Sequence, residues 1–267
     1  MDFFNDCRKL SGEVAIAMKP LIGTRKGAKI VGMGADGTPT KYIDKIAEDI
    51  ILEYLHEIEA DVIVISEEAG IVEITPGAED IIYLDPIDGT FNAISNIPIY
   101  ALSVAYSSKN TVVKGFVSNL ATGDIFIAEK GKGATKGGES LNVSNITNLH
   151  KASCAVYTSS EEEEIKQMTP LFSSLRRTRH LGASALELAY VAAGGLEAYV
   201  DFRGTLRMTD AAAGLLLCTE AGGLVSAPDG NVVSFPDTIQ SGASIIASNG
   251  YVHDKIVSVI TRNHEEE

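Results

Sequence analysis

Apolar residues recur at near-helical spacing twice near the front of the chain, at Phe3, Phe4, Cys7, Leu10, Val14 and Ala17, and again at Ile43, Ile46, Ile50, Tyr54 and Leu55. Each stripe predicts an amphipathic helix. Short continuous apolar runs follow, with the β-branched content of buried strands: Val62 to Ile65, Ile81 to Leu84, Ala101 to Tyr106, Val112 to Ser118 and Ile125 to Glu129. The glycine-rich stretch Gly131 to Ser140 predicts a hairpin at the edge of this first half.

Beyond it the pattern alternates. Ala155 to Tyr157 is a predicted strand, Glu161 to Leu175 a charged helix, and Arg179 to Leu181 a short strand. A helix over Ser184 to Ala193 follows, where the Ser184…Glu187 spacing fits a capping box. Glu197 to Phe202 is a strand, Asp210 to Glu220 a very apolar helix stopped by Gly222-Gly223, Ile245 to Ala247 a last strand, and Tyr251 to Arg262 a last helix. Such alternation predicts α/β organisation for residues 146–267, after an α+β unit over residues 1–145.

At 267 residues and 45% hydrophobic content the chain can bury a large core. No apolar run approaches the roughly 18 residues of a membrane span, and Met1 to Lys9 is too charged for a signal-peptide apolar region. A cytoplasmic protein with no membrane partner is expected. Cys7, Cys154 and Cys218 are too scattered for a disulfide framework or a C-x-x-C metal site, and are expected to be buried thiols. The net charge of −14 opposes nonspecific nucleic-acid binding. It would also repel a phosphorylated substrate unless bound cations or local arginines reversed the field.

The chemistry concentrates where strands end in acid. Asp85-Pro86-Ile87-Asp88-Gly89-Thr90 follows the apolar run at Ile81, and a bend at Pro86 can bring both carboxylates and the Ile87 carbonyl to one face. Three hard oxygens so placed can seat a divalent cation. Gly89 and Thr90 would let an oxyanion approach free backbone N–H groups beside it. Ser66-Glu67-Glu68 is a second acidic strand end, and Asp210 heads the apolar helix. Taken alone, Asp88 and Asp210 would be helix caps and Gly89 a turn residue. The loop Gly32 to Gly37 matches G-x-G-x-x-G, but Thr38-Pro39-Thr40 intervenes where a dinucleotide fingerprint would already be helical, and Pro39 or Thr40 looks like the helix start. That argues against a nicotinamide site.

Together, Glu67, Asp85-x-x-Asp88-Gly89-Thr90, Asp210-x-Ala212-Ala213-Gly214 and Glu220-Ala221-Gly222-Gly223 resemble the inositol monophosphatase family of magnesium-dependent, lithium-sensitive phosphatases. Asp44 at the front and Gly-Gly-x-x-Ala-Tyr at Gly194 to Tyr199 extend the resemblance over nearly the whole chain. It implies a layered αβαβα sandwich, a homodimer, and two or three Mg²⁺ ions per site. It places Glu67, Asp85 and the Ile87 carbonyl on one ion, and Asp85, Asp88 and Asp210 on a second. It gives Glu67 and Thr90 the work of orienting and deprotonating a water, with Asp44 completing the catalytic site or a third ion's shell, and the phosphate on Gly89 and Thr90. All of these are oxygen donors, and no His or Cys stands near them to favour zinc.

Two departures from the family pattern stand out. An upstream lysine has no clear counterpart, Met33 falling near its place, and Thr209 replaces a tryptophan before the last aspartate. The longer segment Asp201 to Arg207, with Gly34 to Thr40, is similar to the archaeal branch, which implies fructose 1,6-bisphosphate and inositol 1-phosphate as substrates. Arg203, Arg179 and Ser184 are then candidates for the distal phosphate, and Asp201 for a sugar hydroxyl. The alternatives are a phosphatase for 3′-phosphoadenosine 5′-phosphate and a regulatory, protein-binding relative.

Overall fold

Phe3, Cys7, Leu10, Val14 and Met18 bury one side of helix α1 (Phe3–Met18), and Ile43, Ala47, Ile51 and Leu55 one side of α2 (Tyr42–Glu57). Positions three and four apart share a helix face, so each stripe becomes a seam that must be covered. The cover is a sheet whose Val64, Ile82, Leu84, Leu102 and Phe116 pack against both helices. In the computed structural model, which describes residues 1–235 and 240–261, this first sheet has eight strands.

They are β1 (Ile63–Ser66), β2 (Gly70–Glu73), β3 (Ile81–Asp88), β4 (Ala101–Ser108), β5 (Thr111–Asn119), β6 (Ile125–Glu129), β7 (Gly133–Lys136) and β8 (Glu139–Ser140). Their order is β2-β1-β3-β4-β5-β6-β7-β8. Only β1 and β3 run parallel; the other neighbours are antiparallel, as an α+β half requires. The second sheet holds β9 (Ser153–Tyr157), β10 (Arg177–Arg179), β11 (Ala198–Leu206), β12 (Leu224–Ser226) and β13 (Ala243–Ser248), in the order β10-β9-β11-β13-β12. Its first three strands are parallel, and β13 and β12 add antiparallel.

Helices α5 (Ser184–Ala192) and α6 (Met208–Glu220) lie between the sheets. Ala185, Leu186, Ala189, Ala213 and Leu217 meet Ala105, Val117 and Phe126 of the first sheet. Leu188, Val191, Ala211 and Cys218 meet Tyr157, Tyr199, Ile245 and Ala247 of the second. A helix enclosed on both sides must be apolar nearly all round, which is why these two read as continuous Ala and Leu rather than as stripes. Met168 and Leu171 of α4 (Glu162–Ser174) and Ile256 and Ile260 of α7 (His253–Thr261) close the outer face of the second sheet. The result is the expected αβαβα sandwich. All three cysteines are buried thiols, and no helix of the described residues is long and apolar enough to cross a membrane.

Several element ends differ from those predicted. β10 comes two residues early, at Arg177–Arg179, and pairs in register with β9. α2 starts at Tyr42, because Ile30 and Lys41 form a bridge that keeps Pro39 and Thr40 extended. α6 starts at Met208, so Asp210 lies inside its first turn. The Ser184…Glu187 capping box does not form: Ala183 is the N-cap, and Glu187 turns instead to Leu181 N and Tyr157 Oη. α7 starts at His253, and its predicted end at Arg262 lies outside the described residues.

The middle layer sits so close to its neighbours that two glycines are dictated. A Cβ on Gly115 of β5 would come 2.9 Å from Ala213 O, and one on Gly214 of α6 would come 2.5 Å from Leu188 Cβ. Gly214→Ala would gain about 1 kcal/mol in helix propensity. Overpacking against α5 costs about 1–3 kcal/mol, so urea unfolding should show a net loss of stability. A more stable variant would mean that α5 and α6 can move apart without penalty.

Candidate active site

The site is built on a fault in the first sheet. β3 pairs regularly with β4 as far as Asp85 opposite Ser103, then resumes with Asp88 opposite Ala101, so one extra residue is accommodated between them. Pro86 lies in this bulge, where its missing N–H breaks no ladder bond. Ile87 N donates to Asp85 Oδ1 at 3.0 Å, which turns the Asp85 carboxylate out of the strand. Gly89 then reverses the chain at φ 91°, and a Cβ there would stand 2.9 Å from Ile99 O and 3.1 Å from Gly182 O. Only glycine fits both constraints. Thr90 opens the short helix α3 (Thr90–Ile94).

Glu67, one residue past β1, Asp85 of β3 and Asp210 of α6 converge, each offering a carboxylate oxygen within 4.8 Å of the others. Burial holds the pKa of Asp85 well above the usual carboxylate range, with Glu67 and Asp88 adding repulsion. Burial likewise pushes Glu67 up to about 8, against the pull of the Arg207 guanidinium. Arg207 reaches into the cluster: Nε and Nη2 donate to the two Asp210 oxygens at 3.1 Å, Nη2 donates to Glu67 Oε1 at 2.8 Å, and Nη1 donates to Asp36 Oδ2. Three converging carboxylates that already draw in a cation are a donor set fit for a hard divalent metal. His and Cys take no part in it.

Asp88 faces a different neighbour. Its Oδ1 accepts from Ser184 N at 3.0 Å and its Oδ2 from Ala185 N at 2.7 Å, so it caps α5 from another strand. Burial, reinforced by Asp210, still raises it to about 8. The Ile87 carbonyl accepts from Thr90 Oγ1 at 3.0 Å. Thr90 Oγ1 also stands 2.8 Å from Asp44 Oδ1, and Asp44 Oδ2 accepts from Lys41 N at 3.3 Å. Burial raises Asp44 to about 7. Asp44, Glu67 and Thr90 line a cleft of about 240 Å³ together with Lys41, Glu68, Phe91 and Ile94.

The second half supplies a polar wall. Tyr199 Oη lies 2.9 Å from Ser184 Oγ and 3.0 Å from Asp201 Oδ2. Arg203 grips the fully buried Asp201 with Nε at 3.0 Å and Nη2 at 2.5 Å, and its guanidinium lies 4.6 Å over the Tyr157 ring. His180 packs edge-on with that ring, the two centroids 4.0 Å apart. Arg179, at the end of edge strand β10, hydrogen-bonds only to Thr178 O among the described residues and is not drawn into this wall. Asp36, Lys41 and Arg207 were not singled out as site residues from sequence. The signal for Arg207 was its place three residues before Asp210, which lets both groups lie on one side of a helix start.

The inositol monophosphatase family matches residues 9–265. The fructose-1,6-bisphosphatase/inositol-1-monophosphatase of Methanothermobacter thermautotrophicus is 37% identical over 94% of this chain and 94% of its own length. The bifunctional NADP phosphatase/NAD kinase of Methanococcus maripaludis is also 37% identical, over 97% of this chain, which spans only 49% of that protein. A crystal structure of an inositol monophosphatase-fructose 1,6 bisphosphatase superposes with a TM-score of 0.87 at 30% identity, covering 97% of this chain and all of the other. The extragenic suppressor protein SuhB of Bartonella henselae gives 0.86 at 25% identity, over 98% of this chain and 99% of its own. The chain belongs to the inositol monophosphatase family, and is a phosphatase of that family with an acidic cluster able to hold metal.

Proposed function

We propose that this chain is a Mg²⁺-dependent phosphatase that releases phosphate from fructose 1,6-bisphosphate and inositol 1-phosphate by attack of water. The observation that carries the reading is the convergence of Glu67, Asp85 and Asp210 beside the Asp44–Thr90 pair. The names of the archaeal relatives support the substrate class. Glu67, Asp85 and Asp210 would hold the metal, two or three ions per site, with Asp88 and the Ile87 carbonyl completing the set. Bound there, Mg²⁺ supplies positive charge against the phosphoryl oxygens and the departing alcohol.

The chain's own residues do the rest. Thr90 has one hydroxyl hydrogen, facing Asp44 Oδ1 or the Ile87 carbonyl, so its oxygen is left to accept from a water. Asp44, raised by burial to about 7, is matched to take a proton near neutral pH. Glu67 opens onto the same cleft and orients the water from the other side. Gly89 and Thr90 offer their backbone to the phosphate, and Lys41 brings a positive charge to the cleft mouth. Arg203, Ser184 and Asp201 would meet the distal part of the sugar, with Arg179 beyond them. A cytoplasmic homodimer completes the reading.

A nucleotide substrate is the second reading, supported by the relatives named NADP phosphatase/NAD kinase and by Phe91. Phe91 is 74% exposed at the rim of the cleft, where a base could lie across its ring. Phosphate release from fructose 1,6-bisphosphate, inositol 1-phosphate, NADP and 3′-phosphoadenosine 5′-phosphate, with and without Mg²⁺, separates the two.

Asp85→Asn should lower turnover by about 10²–10³-fold at saturating Mg²⁺, the usual loss when one electrostatic contact to a transition state is removed. Activity within about tenfold of wild type would sink the metal assignment. Arg203→Ala should cost about 2–3 kcal/mol in kcat/KM on fructose 1,6-bisphosphate and well under about 1 kcal/mol on inositol 1-phosphate. Equal losses on both would mean that Arg203 holds Asp201 in place and does not read a second phosphate.

A further inference from the structure

Arg207 lies inside the carboxylate cluster rather than beside it. Its Nη2 donates to Glu67 Oε1 at 2.8 Å and to Asp210 Oδ1 at 3.1 Å, and its Nε donates to Asp210 Oδ2 at 3.1 Å. Glu67 and Asp210 are two of the three converging groups. The guanidinium thus occupies both Asp210 oxygens and one Glu67 oxygen, and a divalent metal drawn to the same carboxylates would meet its positive charge. The two cations therefore compete for the cluster.

A second contact gives the side chain somewhere to go. Nη1 donates to Asp36 Oδ2, and Asp36 is outside the three-carboxylate cluster. Thr38 N and Thr38 Oγ1 fix the Asp36 carboxylate at 2.8 and 3.0 Å, and Ala35 N and Asp36 N bond to Glu68 O and Glu67 O. The loop carrying Asp36 is thus pinned to the same strand end that bears Glu67. Arg207 itself precedes α6 at the N-cap position, so its backbone is held while its long side chain can rotate.

We propose that Arg207 is the resident cation of the metal-free site. It neutralises Glu67 and Asp210 while no metal is present, and yields their oxygens to the metal by withdrawing to Asp36. On this account it is a positioning residue that keeps the empty cluster folded and sets how tightly metal is held. The guanidinium remains charged throughout, so the exchange is one cation for another. Metal affinity is lowered by the work of displacing it, and the loop over residues 32–38 senses metal through Asp36.

The proposal rests on the cluster being the metal site, and the experiment separates the two. Mn²⁺ binding is measured calorimetrically on metal-stripped wild type and on Arg207→Gln, with thermal unfolding of both. The variant should bind Mn²⁺ about tenfold more tightly, the equivalent of one charge-assisted hydrogen bond no longer to be broken, and should melt at a lower temperature than wild type when metal-free. No Mn²⁺ binding to wild type would remove the metal reading and the proposal with it. Binding to wild type with equal or weaker binding to the variant would overturn the role of Arg207 alone. Because the variant can fail to fold without metal, the arginine Nε–H resonances of ¹⁵N-labelled wild type are also followed as Mg²⁺ is added, with Mg²⁺-loaded Arg207→Lys used for assignment. The Arg207 signal should shift in step with Mg²⁺ occupancy. A signal unchanged at saturation would overturn the proposal.

Discussion

The packing of like charges out of water governs this structure. Asp44, Asp85, Asp88 and Asp210 are all buried and Glu67 half-buried, around one strand end, in a chain of net charge −14. Unpaired, such groups would hold their protons, and burial is the first cause of every raised pKa among them. Each receives a different compensation. Asp88 takes two N–H groups from the start of α5, Asp44 a hydroxyl, and Glu67 and Asp210 share a guanidinium. Among the described residues Asp85 accepts only the Ile87 N–H, and its proton affinity is raised well beyond the carboxylate range. The position most in need of positive charge is therefore the one at the centre of the cluster.

The sandwich is what brings these compensations to one place. α5 and α6 both begin at the site, Ser184 and Asp210 standing in their first turns, so the first N–H groups of α5 meet Asp88 and the positive dipole ends of both helices lie at the acids. They can reach the end of β3 only because the middle layer is thin. Gly115, Ala213 and Gly214 let sheet and helices approach to distances that a larger side chain would forbid. The bulge at Pro86 then turns Asp85 toward Glu67 while Asp88 faces α5. Stability of the layers and geometry of the site are thus set by the same small residues.

Much of this could be read from the chain. The stripes at Phe3 and Ile43, the apolar strands and the all-round apolar α6 each follow from a period that burial imposes, and the family pattern identified Glu67, Asp85 and Asp210. Features that depend on distant partners were hidden. Ser184 and Glu187 have the spacing of a capping box, yet Asp88, 96 residues from Ser184, does the capping and frees Glu187 for Tyr157. The ion pair of Arg207 with Asp36 spans 171 residues, and no local pattern announces it. Glu187, buried in the first turn of α5 and raised to about 7, is likewise intelligible only once Tyr157 and the Leu181 N–H are seen to hold it.

Two arginines near the site illustrate how a partner decides a role. Arg203 binds Asp201 through Nε and Nη2, but Asp201 belongs to β11 and not to the cluster, so nothing entering the metal site competes for it. Its plane is further held over Tyr157, so the orientation of the fork is fixed from two sides. Arg207 has the same side chain but pairs with three carboxylates where Arg203 pairs with one, and two of its three partners are the groups that a metal would need. A guanidinium anchored outside the cluster keeps its partner whatever enters the cluster, whereas one anchored inside it would compete with a metal for its carboxylates. The difference follows from which carboxylate each one faces, and only three residues at the end of β11, Gly204, Thr205 and Leu206, lie between the two arginines.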